Sequence, residues 1–498
     1  MGTNKSAVIV GAGIGGITTA LYLARNGYEV DVYEKTDKPG GRCGQILRDG
    51  YRFDVGATMM LMPDVYRDIF KSLDLDLHND LKVVTLDELY SVWYDDGSRL
   101  SFTTDEKRMA GQLEKIEKGS SVRAREYVSK GFELYKLSFQ KLIGRNFFGF
   151  FDFFNLRNAL LLIKLKTYIS HSRYTKKFFK NQRLQMAYTF QNIYVGQSPF
   201  TAPALFSMIP AAELIEGSLF PIGGMYSLVE RLISIGREKG VRFHFIKPVQ
   251  NIIVEGNRAL GLKFSDGSIT EADVVIANAD LPYVYRELLP PSGKSRRIEK
   301  MKFSCSALVF HWGVDKVYPQ LAQHNVFLSD DFRQGLDAIF KDKQIGRDPS
   351  FYVHAPVRTD STAAPEGCDA LSVAVGASET DIKNRDQWDE LQRNARAAVI
   401  SKLKSIGMTD IEEHIRFEIV TTPPAWESIL NVSRGAVFGS LGHNIFQMGY
   451  FRPHNRDRKY RNLYFTGGST HPGNGIPMVL LSAKLVSERI LRDDQKGR

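Results

Sequence analysis

Cysteine is almost absent from this chain. Its three residues in 498, Cys43, Cys305 and Cys368, lie too far apart for a disulfide framework or a cysteine metal cluster, so a reducing compartment and no metal are expected. Long apolar runs are missing as well. The apolar residues 7–10 are too few for a secretory signal and run straight into glycines. The longest charge-free stretch, 184–212, has the ~20 residues that a bilayer crossing needs. It also contains Gln185, Gln191, Asn192, Gln197, Pro199, Pro203 and Pro210, which argue against a span. "MGTNKS" fits the N-myristoylation pattern, a short match that chance often supplies. No internal repeat or low-complexity linker interrupts the chain, and "RDDQKGR" reads as a solvated tail. With 43% apolar and 24% charged residues it is a globular sequence, long enough for two or three domains.

Acidic residues are scarce in one segment. Between Lys141 and Arg183, ten Lys or Arg face the single Asp152, a balance of +9 in 43 residues against +10 for the whole chain. The same segment holds six phenylalanines within eight residues: Phe147, Phe148, Phe150, Phe151, Phe153 and Phe154. Leu160, Leu161, Leu162, Ile163 and Leu165 follow. Basic residues mixed with bulky apolar ones suit the headgroup boundary of an anionic membrane, with the helix lying in the plane. Single-strand nucleic-acid platforms also combine cations with aromatics. The leucines carry the apolar character past what base stacking uses, so no nucleic-acid partner is expected. A core helix pair with a solvated basic rim is the structural alternative.

Glycine, by contrast, is abundant and regularly spaced. In "SAVIVGAGIGGITTALYLARNGYEVDVYEK" an apolar strand at 6–10 meets Gly11, Gly13 and Gly16 in the G-x-G-x-x-G spacing. Helical periodicity then runs from Ile17 to Arg25 and stops at Gly27, and Tyr28, Val30 and Val32 alternate as a second strand ending in Glu34. This is a complete βαβ unit of Rossmann type. Gly11 permits the tight turn, Gly13 lets a pyrophosphate approach the backbone, and Gly16 allows close helix-to-strand packing. Glu34 is placed to accept from a ribose hydroxyl. The motif alone does not separate FAD from NAD. "PGGRCGQ" adds a second glycine turn whose Arg42 suits a phosphate or a polarised flavin oxygen, or else belongs to an ordinary surface loop.

Later segments return to the same domain. A helix from about Tyr226 to Lys239, a strand at 241–245, two alternating runs around "EGN", a turn at Asp266-Gly267 and a buried strand at 273–277 are expected. Near the C-terminus a strand at 463–465 meets Gly467, Gly468, Gly473 and Gly475, and a helix opens around Ile476 to Met478. Backbone without Cβ atoms can lie flat against a ring system, and a helix N-terminus can stabilise electron density there. An anion site is the less specific alternative.

The blocks "VIVGAGIGGITTALYLARNGYEVDVYEKTDKPGGR", "FDVGATMMLMPDVY", "YVGQSPFTAPALFSMI", "FPIGGMYSLVERL", "NADLPYVYRELL", "TTPPAWESILNVSRGAVFGS" and "FRPHNRDRKYRNLYFTGGSTHPGNGIPMVLLSAK" resemble bacterial FAD-dependent carotenoid desaturases, which include phytoene, dehydrosqualene and hydroxycarotenoid 3,4-desaturases. The chain lacks the acidic residue that other flavin amine oxidases carry after the last strand; Gly467-Gly468-Ser469 stands there, as in the desaturases. The resemblance implies FAD held by Gly11, Gly13, Gly16, Glu34, Gly41 and Arg42, with Lys35, Ala57 and Thr58 beside it. It implies Val249 at the adenine, and Gly468, Gly475, Ile476, Pro477 and Met478 against the isoalloxazine. It further implies a cytoplasmic enzyme held peripherally on the inner face of the membrane, a long carotenoid entering from lipid past the phenylalanine run, and oxygen or a quinone as electron acceptor. A substrate of ~40 carbons, at about 0.8 kcal/mol per buried CH₂, would not be released into water.

The reaction implied is removal of two hydrogens from adjacent carbons, one as hydride to flavin N5 and one as a proton. No residue is identified as the proton acceptor. His471, Glu213 and Asp152 are available, but structural or solvated roles are expected for each. "GATMMLMPDVY", with Ala57 where phytoene desaturases usually have proline, favours 3,4-desaturation of a C40 carotenoid, including one hydroxylated at the other end. Phytoene or dehydrosqualene desaturation is the alternative. Rivals of other classes are an isoprenoid carrier without redox chemistry and a flavin oxidase acting on amines or porphyrinogens. The expected architecture is α/β, or α+β overall. A discontinuous FAD domain takes 1–80, 221–285 and 450–498, a mixed-sheet substrate domain takes 81–105 and 286–449, and a helical membrane-facing lid takes 106–220.

Overall fold

The computed structural model describes residues 5–379 and 387–496. The myristoylation pattern and the end of the tail therefore fall partly outside the described residues.

The first sheet is fully parallel. Its order across the sheet is Arg242–His244, Glu29–Tyr33, Ser6–Val10, Val274–Ala277 and Leu463–Phe465. In chain order that is 3-2-1-4-5, so the direction of winding reverses between Ser6–Val10 and Val274–Ala277, and a crevice opens beyond their carboxyl ends. Strands of this kind are covered on both faces, which is why "SAVIV" and "VVIA" read as continuous apolar runs. Helix Ile14–Arg25 packs against helix Ile476–Gln495 on one side of the sheet. A three-stranded antiparallel sheet, Val249–Glu255, Arg258–Phe264 and Ile269–Glu271, sits on the other side through Ile252, Leu262 and Phe264.

The second large sheet is mixed. Its order is Ile415–Thr421, Ser306–Val314, Asp369–Ala377, Phe351–His354, His324–Phe327, Tyr90–Trp93 and Arg99–Phe102, with the single parallel pairing between His324–Phe327 and Tyr90–Trp93. Residues near 90–102 thus join a sheet otherwise built from 306–421. Ser306–Val314 is buried along its whole length and anchors a core through Leu308, Phe310 and Trp312.

Residues 106–216 are mainly helical, with Glu106–Ile116 and Ser120–Ser138 the longest pieces. Ser120–Ser138 packs on Met208–Glu216, where a Cβ on Gly131 would lie 2.7 Å from the Ser207 carbonyl. No helix among the described residues is long and apolar enough to cross a membrane. The phenylalanine run forms a short 3-10 turn, Phe150–Asp152, before helix Leu156–Lys164. One expectation for it needs correcting. Phe147 and Phe153 are buried, 3% and 5% exposed, because they pack edge to face with each other, while Phe147 meets Tyr450 edge-on and Phe153 stacks on it. Only Phe148, Phe150, Phe151 and Phe154 remain at the surface.

Candidate cofactor and substrate site

Gly11 closes the first strand with φ +95, and its N–H donates to the Tyr33 carbonyl at 2.7 Å. A Cβ on Gly16 would lie 2.3 Å from the Gly11 carbonyl oxygen, so helix and turn can approach this closely only through glycine. The helix begins at Ile14, capped by Gly13, with no side-chain cap and no acid in its first turn. Its free N–H groups and positive dipole end therefore face the crevice, as anion binding requires.

Glu34 follows the second strand. Its carboxylate accepts from the Ala12 N–H at 2.9 Å and from the N–H and hydroxyl of Thr36 at 3.1 and 2.9 Å. It thus holds the glycine turn as well as having lone pairs left for a ribose. Lys35 and Val249 line an open polar groove together with Gln250, Tyr283 and Asn431. Burial lowers the Lys35 ammonium pKa.

The second glycine turn docks on the first. Gly40 N–H donates to Ala12 O at 2.8 Å, and Gly13 and Gly40 form an isolated parallel bridge. Gly41 and Arg42 make the 3-10 turn that follows, where Arg42 Nη1 donates to Val437 O at 3.0 Å. A Cβ on Gly468 would lie 3.0 Å from Arg42 Nη2, and one on Gly56 would lie 2.0 Å from the Arg42 carbonyl. Arg42, Gly468 and the segment carrying Ala57 and Thr58 are therefore one contact region. Gly475 caps the C-terminal helix, whose first turn is Ile476, Pro477 and Met478; it too has no side-chain cap and no acid. A Cβ on Gly15 would lie 3.1 Å from Val479 and 3.4 Å from Gly467, so the two uncapped helix starts converge. Contacts thus link Gly11, Gly13, Gly16, Glu34, Arg42 and Gly468, while Lys35 and Val249 line the neighbouring groove.

Three residues of this region went unread in the sequence. Asn278, next after strand Val274–Ala277, donates its side-chain amide to Gly11 O at 3.0 Å and Gly13 O at 3.3 Å. Buried Asp280 accepts from the Ser433 N–H at 3.0 Å and from the Ser440 hydroxyl; burial raises its carboxyl pKa, and nearby Arg42 counters that. Arg452, 1% exposed, donates to the carbonyls of Thr470 at 2.8 Å, Gly468 at 2.5 Å and Gly442 at 3.4 Å. Burial and the neighbouring Arg42 lower the Arg452 pKa to about 9. Two guanidiniums with one nearby carboxylate leave an excess of positive charge beside uncapped helix ends, which fits an anionic, ring-bearing cofactor such as FAD. Thr466 Oγ1 and Asn474 Oδ1 are buried nearby without hydrogen-bond partners, further polar capacity for such a group.

The titratable residues considered from sequence are committed to structure. Asp152 accepts from the N–H groups of Phe148 and Gly149, which lower its pKa. His471 Nε2 lies 3.0 Å from Arg145 O, and burial lowers its pKa to about 4. Glu213 accepts from the Tyr90 hydroxyl at 2.9 Å, and burial pushes its carboxyl up to about 8.

Beside the glycine loops lies an apolar cavity of about 100 Å³, walled by Phe190, Tyr194, Val326, Leu328, Phe332 and Tyr352. It reaches the cofactor region at two points. Asn474 Nδ2 donates to Tyr194 O at 3.1 Å, and the hydroxyls of Thr58 and Tyr352 lie 2.7 Å apart.

The family model described as flavin containing amine oxidoreductase matches residues 14–491. The zeta-carotene-forming phytoene desaturase of Myxococcus xanthus is 38% identical over 98% of this chain and 94% of its own length. The phytoene desaturase of Fusarium fujikuroi is 35% identical over 98% and 90%. The 4,4'-diapophytoene desaturase of Staphylococcus aureus strain Newman is 32% identical over 98% and 99%. Among solved structures, an oxidoreductase from Methanosarcina mazei superposes with TM-score 0.64 at 16% identity, covering 97% of this chain and 100% of that one. Cyclohexylamine oxidase from Brevibacterium oxydans gives 0.62 at 14%, covering 99% and 100%. At such identities these two structures speak for the fold alone.

Proposed function

Because the chain belongs to the carotenoid desaturase family within the flavin-containing amine oxidoreductases, we propose that its substrate is an early, little-conjugated carotenoid precursor of the phytoene or diapophytoene type. As a member it is an FAD-dependent oxidoreductase that desaturates carotenoids. The observation that carries the substrate proposal is full-length similarity to phytoene and diapophytoene desaturases. Terminal 3,4-desaturation, which Ala57 favoured, is not the activity named for the three relatives described above. The test is product analysis: C40 phytoene and its C30 counterpart, each supplied in vesicles, should lose hydrogens in pairs. Turnover only of an already conjugated, hydroxylated carotenoid would favour 3,4-desaturation instead.

The residues in hand support specific roles. Gly11, Gly13 and Gly16, with Asn278 bracing their turn, would hold the pyrophosphate on the helix start at Ile14. Glu34, Lys35 and Val249 would hold the adenosine end, and Gly41, Arg42, Ala57, Thr58, Gly468, Gly475, Ile476, Pro477 and Met478 the ring end. When bound, FAD supplies the acceptor for a hydride from an unactivated carbon. The chain contributes orientation and exclusion of water: the cavity wall beside Thr58 and Tyr194 is aromatic and aliphatic, and suits a polyene precursor. The division into a discontinuous FAD part, a mixed-sheet substrate part and a helical lid follows the same assignment.

We also propose peripheral attachment to anionic membrane. Phe151 is 82% exposed and Phe446 75%, and the rings of Phe150, Phe154 and Phe451 join them into one apolar patch; Leu156, 76% exposed, opens the helix that follows. Arg492 stands 3.5 Å over the Phe148 ring, with Arg489 beside it. The patch is tied to the cofactor region, since Phe147 packs edge-on against His471 in the C-terminal glycine loop. Exposed apolar area of this kind, rimmed by cations, is otherwise costly on a protein surface.

A further inference from the structure

Desaturation sends one hydrogen away with its electron pair and the other as a proton, and that proton needs an acceptor beside the apolar cavity. Resting on the desaturase assignment above, we infer that Tyr352 is this acceptor, with His324 a positioning residue that takes up the phenol's own proton.

Tyr352 is where such a group is needed. Its side chain lines the cavity, and its hydroxyl is 2.7 Å from Thr58 Oγ1, in the segment assigned to the ring end of the cofactor. The same oxygen is 2.6 Å from His324 Nδ1. His324 Nε2 is buried with no hydrogen-bond partner. One consistent arrangement has Tyr352 donating to Nδ1 and Thr58 donating to Tyr352, which leaves the phenol oxygen one free lone pair. In the balanced step, one C–H bond of the substrate breaks and its hydrogen leaves with the electron pair, for which bound FAD would be the two-electron acceptor. The neighbouring C–H bond then breaks, and its electron pair completes the new double bond. Its proton bonds to Tyr352 Oη while the Oη proton passes to His324 Nδ1. The substrate loses two hydrogens and two electrons, the cofactor gains the hydride, and the protein gains one proton.

The surroundings keep this pair neutral until the step occurs. His324, His354, Ser372 and His311 stand opposite one another on four neighbouring strands, so they form one rung on one face of the sheet. His324 and His354 stack at 5.1 Å, 6° from parallel, and His311 Nδ1 is 2.9 Å from Ser372 Oγ. Burial lowers His324 to about 3, His311 to about 4 and His354 well below its ordinary value, with Arg358 and Arg52 adding to the effect on His354. Burial raises the Tyr352 phenol pKa, and Asp54 adds to that. No standing charge on this rung therefore opposes a cation forming on carbon. A weak base suffices, because a C–H bond next to a carbocation is a strong acid. Glu213 is the wrong partner: held up near 8 and already bonded to Tyr90, it is mostly protonated at neutral pH.

The test compares wild type, Tyr352→Phe, His324→Gln and His324→Leu as FAD-loaded proteins in vesicles containing phytoene. Tyr352→Phe should keep its flavin content and flavin absorbance, and its KM within twofold, while kcat falls by about 10²–10³. His324→Gln, whose amide oxygen still accepts from Tyr352, should match wild type in KM and lose kcat, whereas His324→Leu should lose both. Independently of turnover, ¹⁵N-histidine NMR of the wild-type holoprotein should show His324 neutral with an unprotonated Nδ1, shifted by Tyr352→Phe. A kcat within threefold of wild type in Tyr352→Phe, or a protonated Nδ1 in His324, would overturn the assignment. Failure of the wild type to desaturate any carotenoid would instead remove the functional premise, whatever the variants do.

Discussion

Asn278 holds the Gly11 turn from the end of the neighbouring strand, donating its side-chain amide to the Gly11 and Gly13 carbonyls at 3.0 and 3.3 Å. A side chain from the fourth strand in chain order thereby fixes the backbone from which the first helix starts. Asn278→Ala leaves two carbonyls short of a donor, at about 1–3 kcal/mol. The expected result is a folded protein whose FAD affinity falls at least tenfold, read by titrating the apoprotein with FAD beside a denaturation curve.

Two glycine substitutions should separate crowding from backbone entropy. Gly16→Ala puts a methyl 2.3 Å from the Gly11 carbonyl, and that backbone cannot yield without opening the turn. Gly27→Ala meets nothing within 4 Å and carries only the strain of φ +84. Gly16→Ala should yield protein without flavin, while Gly27→Ala should keep its flavin and lose about 1 kcal/mol of stability. Flavin-to-protein absorbance ratios decide between them.

Arg452 bonds to backbone carbonyls of two segments, Gly468 and Thr470 in the C-terminal glycine loop and Leu441, Gly442 and Gln447 in the segment before it. Arg452→Met should destabilise the protein, because it leaves several buried carbonyls without a donor, at about 1–3 kcal/mol for each one left unsatisfied. Arg452→Lys should not restore the loss, because an ammonium cannot reach carbonyls that diverge around a planar fork. Equilibrium denaturation with flavin bound measures both.

Glu213 gives a pH signature with a definite sign. Its carboxyl is held at about 8 in the folded protein against 4.5 in the open chain. Between these values the unfolded state releases a proton that the folded state keeps, so stability falls as pH rises from 4.5 to 8. Asp54 and Glu216, both raised to about 7, tilt the curve the same way, so the variant must be read against wild type. Glu213→Gln should gain thermal midpoint relative to wild type progressively from pH 5 to 8. A constant difference across that range would show that Glu213 is ionised when folded.

For the apolar patch, Phe151→Ser combined with Leu156→Ser removes two side chains, each contributing about 1.5–3 kcal/mol on burial. Flotation with anionic vesicles should fall by tenfold or more and the wild-type interaction should weaken with salt, while flavin content stays unchanged.

Much of the parallel sheet was legible in the sequence because buried parallel strands are continuous apolar runs closed by glycine. Ser6–Val10 and Leu463–Phe465 stand where that pattern puts them. The first helix begins at Ile14, three residues before the apolar periodicity starts at Ile17, because Gly15 and Gly16 are helical but offer no side chain to mark a face. The phenylalanine run could not be divided by sequence. Phe147 and Phe153 owe their burial to Tyr450, about 300 residues away. Asn278, Arg452 and the Tyr352–His324 pair were missed for the same reason: each acquires its role from partners brought together only by the fold. A polar residue directly after the buried strand 274–277 was the one available sign of Asn278.

The central claim is that the glycine-lined crevice and the apolar cavity beside it carry out flavin-dependent desaturation of a carotenoid precursor. The most direct measurement mixes the purified, FAD-loaded protein with phytoene in vesicles without oxygen and follows flavin absorbance and product mass together. One equivalent of flavin should bleach for each pair of hydrogens lost, and the product spectrum should move to longer wavelength as double bonds join in conjugation. Flavin that stays oxidised beside phytoene and its C30 counterpart, yet bleaches with a primary amine, would contradict the account.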